Sequence, residues 1–540
     1  MQNLFSKKEM IICFTVETLF FVGCALPAFA KCWDVYFLPK WYAGIITIFL
    51  VMTSFLFYPI RTKIILAQWK SVLPYSAGVS LLFLLYTVIL DLYHNPFLLF
   101  EYGVGGTFGN PSCLAVTICL LYPISLIFRD DKSLFKREKI ISVKYWNIGC
   151  TLITVFILIC THSRAGIIVF TFYVAMLLNR FFLSKAVWNN AIIIGVLTVS
   201  ILCNLSSKLN STKGRFFILE RTSELILKKP FVGYGFGNFE KTYMEYQGEY
   251  FVQHKESKYA KLADNIKHPL NEFAKLWIEN GIVAPVILLA LIVIPLYNFR
   301  GNFAITMIEM CLLLFCFCSY PLLLPLPVIL LICIPLYMFL TSIKSGVIIK
   351  KVVLTFTIPA CLWLIGAFYI DNLMSSAKFY SLHYKHNRAL LKYSKLDNFL
   401  SKPIVRLLYL SRYKVFTYDY TRELFTTSNF VKALQMMECT EKFITNYDTQ
   451  LLKADIYYYM NEYDNSIESY KTASNMCPVK FAPLEGLLNC YNKQRNYIFE
   501  RHLAKIILSK DIKVYSDEVE RIRNKAYLVL QENIKVKYYK

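Results

Sequence analysis

The chain has 540 residues, 56% of them hydrophobic, and a formal net charge of +23. A mean hydropathy of +0.44 is too high for an ordinary soluble protein. The positive charge does not imply nucleic acid, because lysines in short loops beside apolar runs account for part of it. Anionic lipid head groups or pyrophosphate fit the remainder.

In chain order, apolar stretches fall near 10–30, 42–60, 72–92, 110–128, 145–162, 165–183, 188–203, 282–299, 303–321, 323–342 and 348–369. Each is long enough, or nearly so, to cross a hydrocarbon layer of about 30 Å as a helix, which predicts about eleven spans, plus or minus one. The 188–203 stretch is the shortest. Nothing before the first span reads as a cleaved signal. Basic residues cluster in alternate loops: Lys7 and Lys8; Arg61, Lys63 and Lys70; Arg129, Lys132, Lys136, Arg137 and Lys139; Arg180 and Lys185; Arg300; Lys344, Lys350 and Lys351. All lie on one side if the N-terminus is cytoplasmic, as the positive-inside rule expects.

Two regions interrupt the spans. The loop 204–281 is predicted to lie outside, in the periplasm. The tail 371–540 is polar enough to be a soluble domain, and an odd number of spans puts it outside too. The sixteen cysteines form no disulfide or zinc pattern; most lie in spans, where a thiol packs as a small apolar group.

The tail carries a weak repeat. Tyr463, Ser466, Tyr470, Ala473 and Pro478 fall at the offsets of a tetratricopeptide unit, a helix pair about 34 residues long. A poorer copy has Phe430 and Ala433 in the equivalent places, and another follows around Tyr491 and Ala504. An irregular helical domain with tyrosines in its core is the plainer alternative. Either way the tail has no catalytic constellation, and contact with a protein partner or positioning is its expected work.

The outside loop is rich in cations, among them Lys208, Lys213, Arg215, Arg221, Lys228, Lys229 and Lys267. The positive-inside bias disfavours them there, so an anionic ligand is their simplest reason, with a solvated basic loop as the alternative. Within it, PFVGYGFGNF (Pro230 to Phe239) sets Gly233, Gly235 and Gly237 on alternate residues. No strand-turn-helix context supports nucleotide binding, so the glycines are expected to let backbone approach a ligand or the membrane face. Arg164, in THSRAG at the junction of spans five and six, faces the same side and needs an anionic or carbonyl partner, unless it snorkels to the head groups. GGTFGNPS (Gly105 to Ser112) lies on that face as well.

These segments together resemble the O-antigen ligase and polymerase superfamily. The matching pieces, in order, are the GTFGNP-like segment, SRAG at Ser163 to Gly166, GR followed by P-x-x-G-x-G-x-x-x-F from Gly214 to Phe239, and H-P-x-N-E-F running into ENG from His268 to Gly281. An arginine-x-x-x-leucine motif fits at Arg215 with Leu219 and at Arg221 with Leu225. The resemblance covers roughly 100–300.

It implies an all-α, polytopic helical membrane protein of about 11–12 spans with a GT-C-like fold. The division expected is a membrane domain, 1–370, carrying the periplasmic loop 204–281, and a helical, tetratricopeptide-like domain, 371–540. It further implies metal-independent, inverting glycan transfer from an undecaprenyl-pyrophosphate-linked donor to a lipid or protein acceptor hydroxyl, in a bacterial inner membrane, with no cofactor and no nucleic acid. Arg215 and His268 are then the catalytic pair, and Arg164 and Arg221 the pyrophosphate ligands. Guanidinium groups suit pyrophosphate oxygens and a histidine suits proton removal, so the residue chemistry agrees.

One departure matters. The family commonly places its histidine just before the asparagine, where this chain has Leu270; His268 lies two residues earlier, about 200° round a helix. It can substitute only where the chain is irregular, and a surface histidine capping the helix is the alternative. His254 and Glu272 are further candidates. Ligase, repeat-unit polymerase and protein O-oligosaccharyltransferase share this pattern. A lipid-linked glycan transporter fits less well, because no repeat relates the span groups and the charges sit at span ends.

Overall fold

The computed structural model describes residues 19, 23, 34, 36–46, 62–99, 103–126, 137–182, 209–299, 302–342 and 346–538. Among these residues every regular element is helical and no strand occurs, as an all-α membrane fold requires. The predicted spans near 10–30 and 42–60 lie mostly outside the described residues, and that at 188–203 lies wholly outside them.

In chain order the α-helices are α1 Thr62–His94, α2 Pro111–Ser125, α3 Arg137–Thr161, α4 Arg164–Phe182, α5 Leu209–Lys228, α6 Phe239–Gln253, α7 Glu272–Asn280, α8 Val283–Asn298, α9 Phe303–Cys318 and α10 Pro325–Ser342. They continue as α11 Gly346–Leu382, α12 His386–Leu400, α13 Pro403–Leu408, α14 Leu410–Thr426, α15 Phe430–Glu441, α16 Tyr447–Tyr459, α17 Tyr463–Met476, α18 Ala482–Lys493, α19 Tyr497–Ser509 and α20 Asp517–Tyr538. Among the described residues two stretches, Leu73–His94 and Val143–Thr161, are apolar and long enough to cross a membrane, and Pro111–Ser125, Arg164–Leu177, Val283–Asn298, Phe303–Cys318 and Pro325–Leu336 are shorter apolar helices.

The chain divides into two units. The first comprises residues 1–207, 270–273 and 284–368. Its centre is α2, buried at every position from Cys113 to Ser125 and packed against α1, α3, α4, α9 and α10. A helix that is apolar all round has no solvent face and must be surrounded. Its start is set by Pro111 at the first helical position and by Asn110, whose side chain accepts from the Ser112 N–H, the usual capping arrangement. Gly166 lets α4 approach α2, since a Cβ there would lie 2.9 Å from that of Ala115.

The second unit comprises residues 208–269, 274–283 and 369–540. Helices α5, α6 and α7 of the loop share one apolar core with the tail: Ile218, Leu225, Tyr243, Met244 and Ile278 pack with Tyr447, Ala473, Met476 and Cys477. Polar side chains reinforce this junction. Gln247 Nε2 donates to the Met476 carbonyl at 2.7 Å, Lys241 Nζ to the Glu441 carbonyl at 2.7 Å, and Asn446 Nδ2 to Glu240 Oε1 at 2.6 Å. Within the tail, Ser466, Tyr470 and Ala473 of α17 are buried. Gly486 of α18 lies against the Tyr470 ring, leaving no room for a Cβ.

Candidate active site

The four motif segments fall into two bonded pairs, one in each unit. In the first unit the GGTFGNPS segment lies against the SRAG junction. The Val104 N–H donates to the Cys160 carbonyl at 2.9 Å, and Gly103, at φ 79°, packs so closely on the Thr161 carbonyl that only glycine fits. Ser163 Oγ accepts from the Gly166 N–H at 3.3 Å and so caps α4, which opens at Arg164. Beside this pair, Lys40 is fully buried and donates to the Tyr36 and Thr107 carbonyls at 2.6 and 2.7 Å. Asn110 Nδ2 donates to the Tyr320 hydroxyl at 2.7 Å, and the Leu322 N–H to Glu272 Oε1 at 3.1 Å. Glu272, a further base candidate from sequence, is thus a buried carboxylate tied to the Pro321–Leu323 turn.

In the second unit the glycine segment closes the end of α7. The Tyr234 and Gly235 N–H groups donate to the Ile278 and Glu279 carbonyls at 2.7 and 2.8 Å. The last carbonyls of a helix have no partner within it, and here the loop backbone supplies them. Gly233, Gly235 and Gly237 all take positive φ, at 73°, 100° and 72°, which a side chain would resist. At Gly233 a Cβ would also lie 2.6 Å from the Ile278 carbonyl oxygen, and at Gly281 it would collide with that of Phe231. The close backbone approach is therefore made to α7 at Gly233, while Gly235 and Gly237 lie against the Asn238 and Lys414 side chains. Gly237 is held in turn by Lys414 of α14, whose Nζ donates to its carbonyl at 2.6 Å.

Arg215 and Arg221 both stand on α5. Six residues separate them, about 240° round a helix, so they leave it on different faces. Arg215 is half-buried in the second turn. Arg221 is buried, with Nη2 2.6 Å from Glu220 Oε1 and 3.0 Å from Glu224 Oε1. Its guanidinium lies 4.6 Å over the Tyr250 ring, and Glu224 also accepts from the Tyr246 hydroxyl at 2.6 Å. These contacts bind α5 to α6 through Nη2 and the guanidinium face, while Nε is buried without a hydrogen-bond partner.

His268 sits half-buried just ahead of α7. The helix opens only at Glu272, Pro269 is buried and Leu270 takes φ 58°, so the chain at His268 is irregular, the condition its displaced position requires. Burial, with Lys275 and Lys267 nearby, pushes the imidazole down to about 4, and the ring is neutral at physiological pH. His254 lies exposed at the end of α6, its Nδ1 3.0 Å from the Tyr250 carbonyl oxygen. Arg215, Arg221 and His268 belong to the second unit and Arg164 to the first. Among the described residues no group of three or more His, Cys, Asp or Glu side chains is placed to hold a metal ion.

Sequence reasoning did not single out Lys40, Lys414 or Glu279. Lys414 and Glu279 are buried beside the glycine segment, and Glu279 Oε1 accepts from the Phe239 N–H at 3.4 Å. Only a lysine in apolar surroundings, as at Lys40, offered any signal. No curated protein and no solved structure matches the chain. Residues 149–289 match the family model described as O-antigen ligase, and over that part of the chain the resemblance to the O-antigen ligase and polymerase superfamily holds.

Proposed function

We propose that the protein transfers a glycan from an undecaprenyl-pyrophosphate-linked donor to an acceptor hydroxyl at the periplasmic face of a bacterial inner membrane. The observation that carries this reading is the match to the O-antigen ligase model over residues 149–289, a span that contains Arg164, Arg215 and His268. In the step proposed, the acceptor oxygen attacks the anomeric carbon as the bond from that carbon to the pyrophosphate oxygen breaks. The leaving pyrophosphate takes the electron pair, the configuration inverts, and the acceptor proton passes to His268. Arg215 and Arg164 supply planar, doubly donating cations for the oxygens where negative charge develops, in place of a divalent metal.

His268 is already in its neutral, proton-accepting form. Lys267 and Lys275 weaken it as a base, and a bound pyrophosphate would offset their charge and raise its basicity toward the working pH. The contacts of Arg221 suit a residue that holds α5 against α6, so Arg221 enters as a support for Arg215 and only secondarily as a donor ligand.

The N-terminus is proposed to be cytoplasmic and the loop periplasmic. The core shared by loop and tail supports one side of the membrane for both, so the tail is proposed to be periplasmic. The membrane domain is proposed to be 1–370 and the helical domain 371–540. Helices that open at Tyr447, Ala482 and Asp517, alternating with helices that open at Tyr463 and Tyr497, support tetratricopeptide-like pairs about 34 residues long. Repeat-unit polymerase and protein O-oligosaccharyltransferase share the donor half of the reaction and differ in acceptor. Deletion in the native host, followed by sizing of surface glycan, separates them. Full-length polymer left on the lipid carrier identifies a ligase, single repeats identify a polymerase, and unchanged glycan on both carrier and cell surface rejects the transferase reading.

A further inference from the structure

From the last turn of α5 to the start of α6 the chain exposes four bulky apolar side chains within ten residues: Leu227 at 78%, Phe231 at 77%, Val232 at 82% and Phe236 at 69%. An exposed apolar cluster of this kind marks a contact surface. The segment cannot fold these groups away, because the Tyr234 and Gly235 N–H groups are spent on the end of α7 and Gly233 is fixed by close approach to its backbone.

The same segment is tied to the start of an apolar helix. The Ile282 N–H and Trp277 Nε1 both donate to the Pro230 carbonyl, at 3.0 and 2.8 Å. One residue beyond Ile282 the chain enters α8, whose Val283, Val286 and Ile287 are 60%, 55% and 55% exposed. An apolar helix exposed in this way has lipid for its surroundings, and a tryptophan with a satisfied N–H at its outer end is a familiar marker of the interface. Lys228 and Lys229 are exposed beside the four apolar groups and lie 4.1 and 4.7 Å over the rings of Tyr246 and Tyr234.

We infer that residues 227–236 are an interfacial anchor: Leu227, Phe231, Val232 and Phe236 enter the boundary between head groups and acyl chains, and Lys228 and Lys229 meet anionic head groups. Continuity with α8 and the paired lysines select the bilayer surface as the occupant. The anchor holds the loop at the depth where a lipid-linked pyrophosphate lies. It depends on the membrane setting of the family and not on the transfer chemistry, so either can fail alone.

The test uses the full chain in vesicles of phosphatidylethanolamine and phosphatidylglycerol that contain no polyprenyl lipid. A photocrosslinking p-benzoylphenylalanine replaces Phe236 or, as a reference, Ile498, which is 83% exposed in α19. Burying one large apolar side chain favours the lipid side by more than about tenfold, so at least about tenfold more phospholipid adduct is expected at 236 than at 498. Exchanging phosphatidylglycerol for phosphatidylcholine should lower the adduct, and by less in a Lys228→Gln, Lys229→Gln variant. The pair Phe231→Ser and Phe236→Ser should leave thermal unfolding unchanged while reducing lipid adduct formed from a crosslinker at Val232. Equal adduct at 236 and 498 overturns the inference. So does adduct at 236 that forms only after polyprenyl pyrophosphate is added, which would assign the patch to the donor, and so does crosslinking to a second copy of the chain.

Discussion

The Lys414 ammonium group of α14 reaches the Gly237 carbonyl at 2.6 Å, so a tail residue fixes the glycine segment of the loop 177 positions earlier in the chain. Lys414 is buried, and burial pulls its pKa below the usual lysine value, so the ammonium group needs the Gly237 carbonyl in place of water. Lys414→Met should destabilise the second unit by about 1.5–3 kcal/mol, the range for a charge-assisted bond to an otherwise buried partner. Limited proteolysis between Pro230 and Phe239 should accelerate correspondingly. An unchanged digestion rate would mean that the tail does not brace the loop.

The glycine segment should tolerate no side chain where it meets α7. Gly233→Ala places a Cβ against the Ile278 carbonyl at a φ of 73°, and Gly281→Ala drives one into the Phe231 carbonyl. Strain of about 1–3 kcal/mol is expected at either position, together with loss of the bonds that close α7. Circular dichroism melts and transfer activity should both fall. Gly214→Ala, inside α5 with nothing within 4 Å of its added Cβ, is the control and should not lower the melt, since alanine is the better helix former.

His268 predicts a definite pH dependence. Its folded-state pKa of about 4 lies below the ordinary histidine value of 6.5. Above pH 6.5 both folded and unfolded states hold a neutral ring, and His268 contributes no dependence. Between 6.5 and about 4 the unfolded state takes up the proton first, so stability falls as pH falls, and the loss levels off below 4. Melting temperatures of the wild type and His268→Gln should therefore diverge between pH 6.5 and 4, with the variant falling less. Parallel curves would place the ring in solvent.

Much of this arrangement is legible in the sequence, and the limits are physical. Apolar runs such as 110–128 and 145–162 announce membrane helices because a bilayer demands length and hydropathy from a single segment. Glycines at 233, 235 and 237 announce close backbone approach because nothing else requires them at that spacing. What they approach was not legible: the partner carbonyls lie some forty residues on, and no local pattern reports a contact of that range. The same holds for Lys414 and for the core that joins Tyr243 and Met244 to Met476, since Gln247 and Lys241 read from sequence as ordinary polar loop residues. Arg221 and Arg215 share the arginine-x-x-x-leucine spacing, and the aromatic and acidic neighbours that hold Arg221 on α5 and α6 were not legible in it.

That distinction is testable. Arg221→Met removes the guanidinium from Glu220, Glu224 and Tyr250 and should lower stability by about 1 kcal/mol, since water reaches both carboxylates and Glu224 keeps the Tyr246 hydroxyl. Variant that still folds at low temperature should keep much of its activity there. Arg215→Ala should lose activity by about 10²–10³-fold at a temperature where the chain remains folded. Equal effects of both substitutions on stability and rate would remove the basis for separating them.

The most direct measurement of the central claim follows undecaprenyl pyrophosphate released by the full chain in proteoliposomes supplied with a lipid-linked glycan and an acceptor. Wild-type protein should release one undecaprenyl pyrophosphate for each glycan transferred. Arg215→Ala should slow release by about 10²–10³-fold, the usual effect of losing one contact made to the transition state. Arg215→Lys, which keeps charge but not the two-pronged geometry, should remain badly impaired. Movement of intact lipid-linked glycan across the membrane without any cleavage, or release by Arg215→Ala at the wild-type rate, would contradict the account.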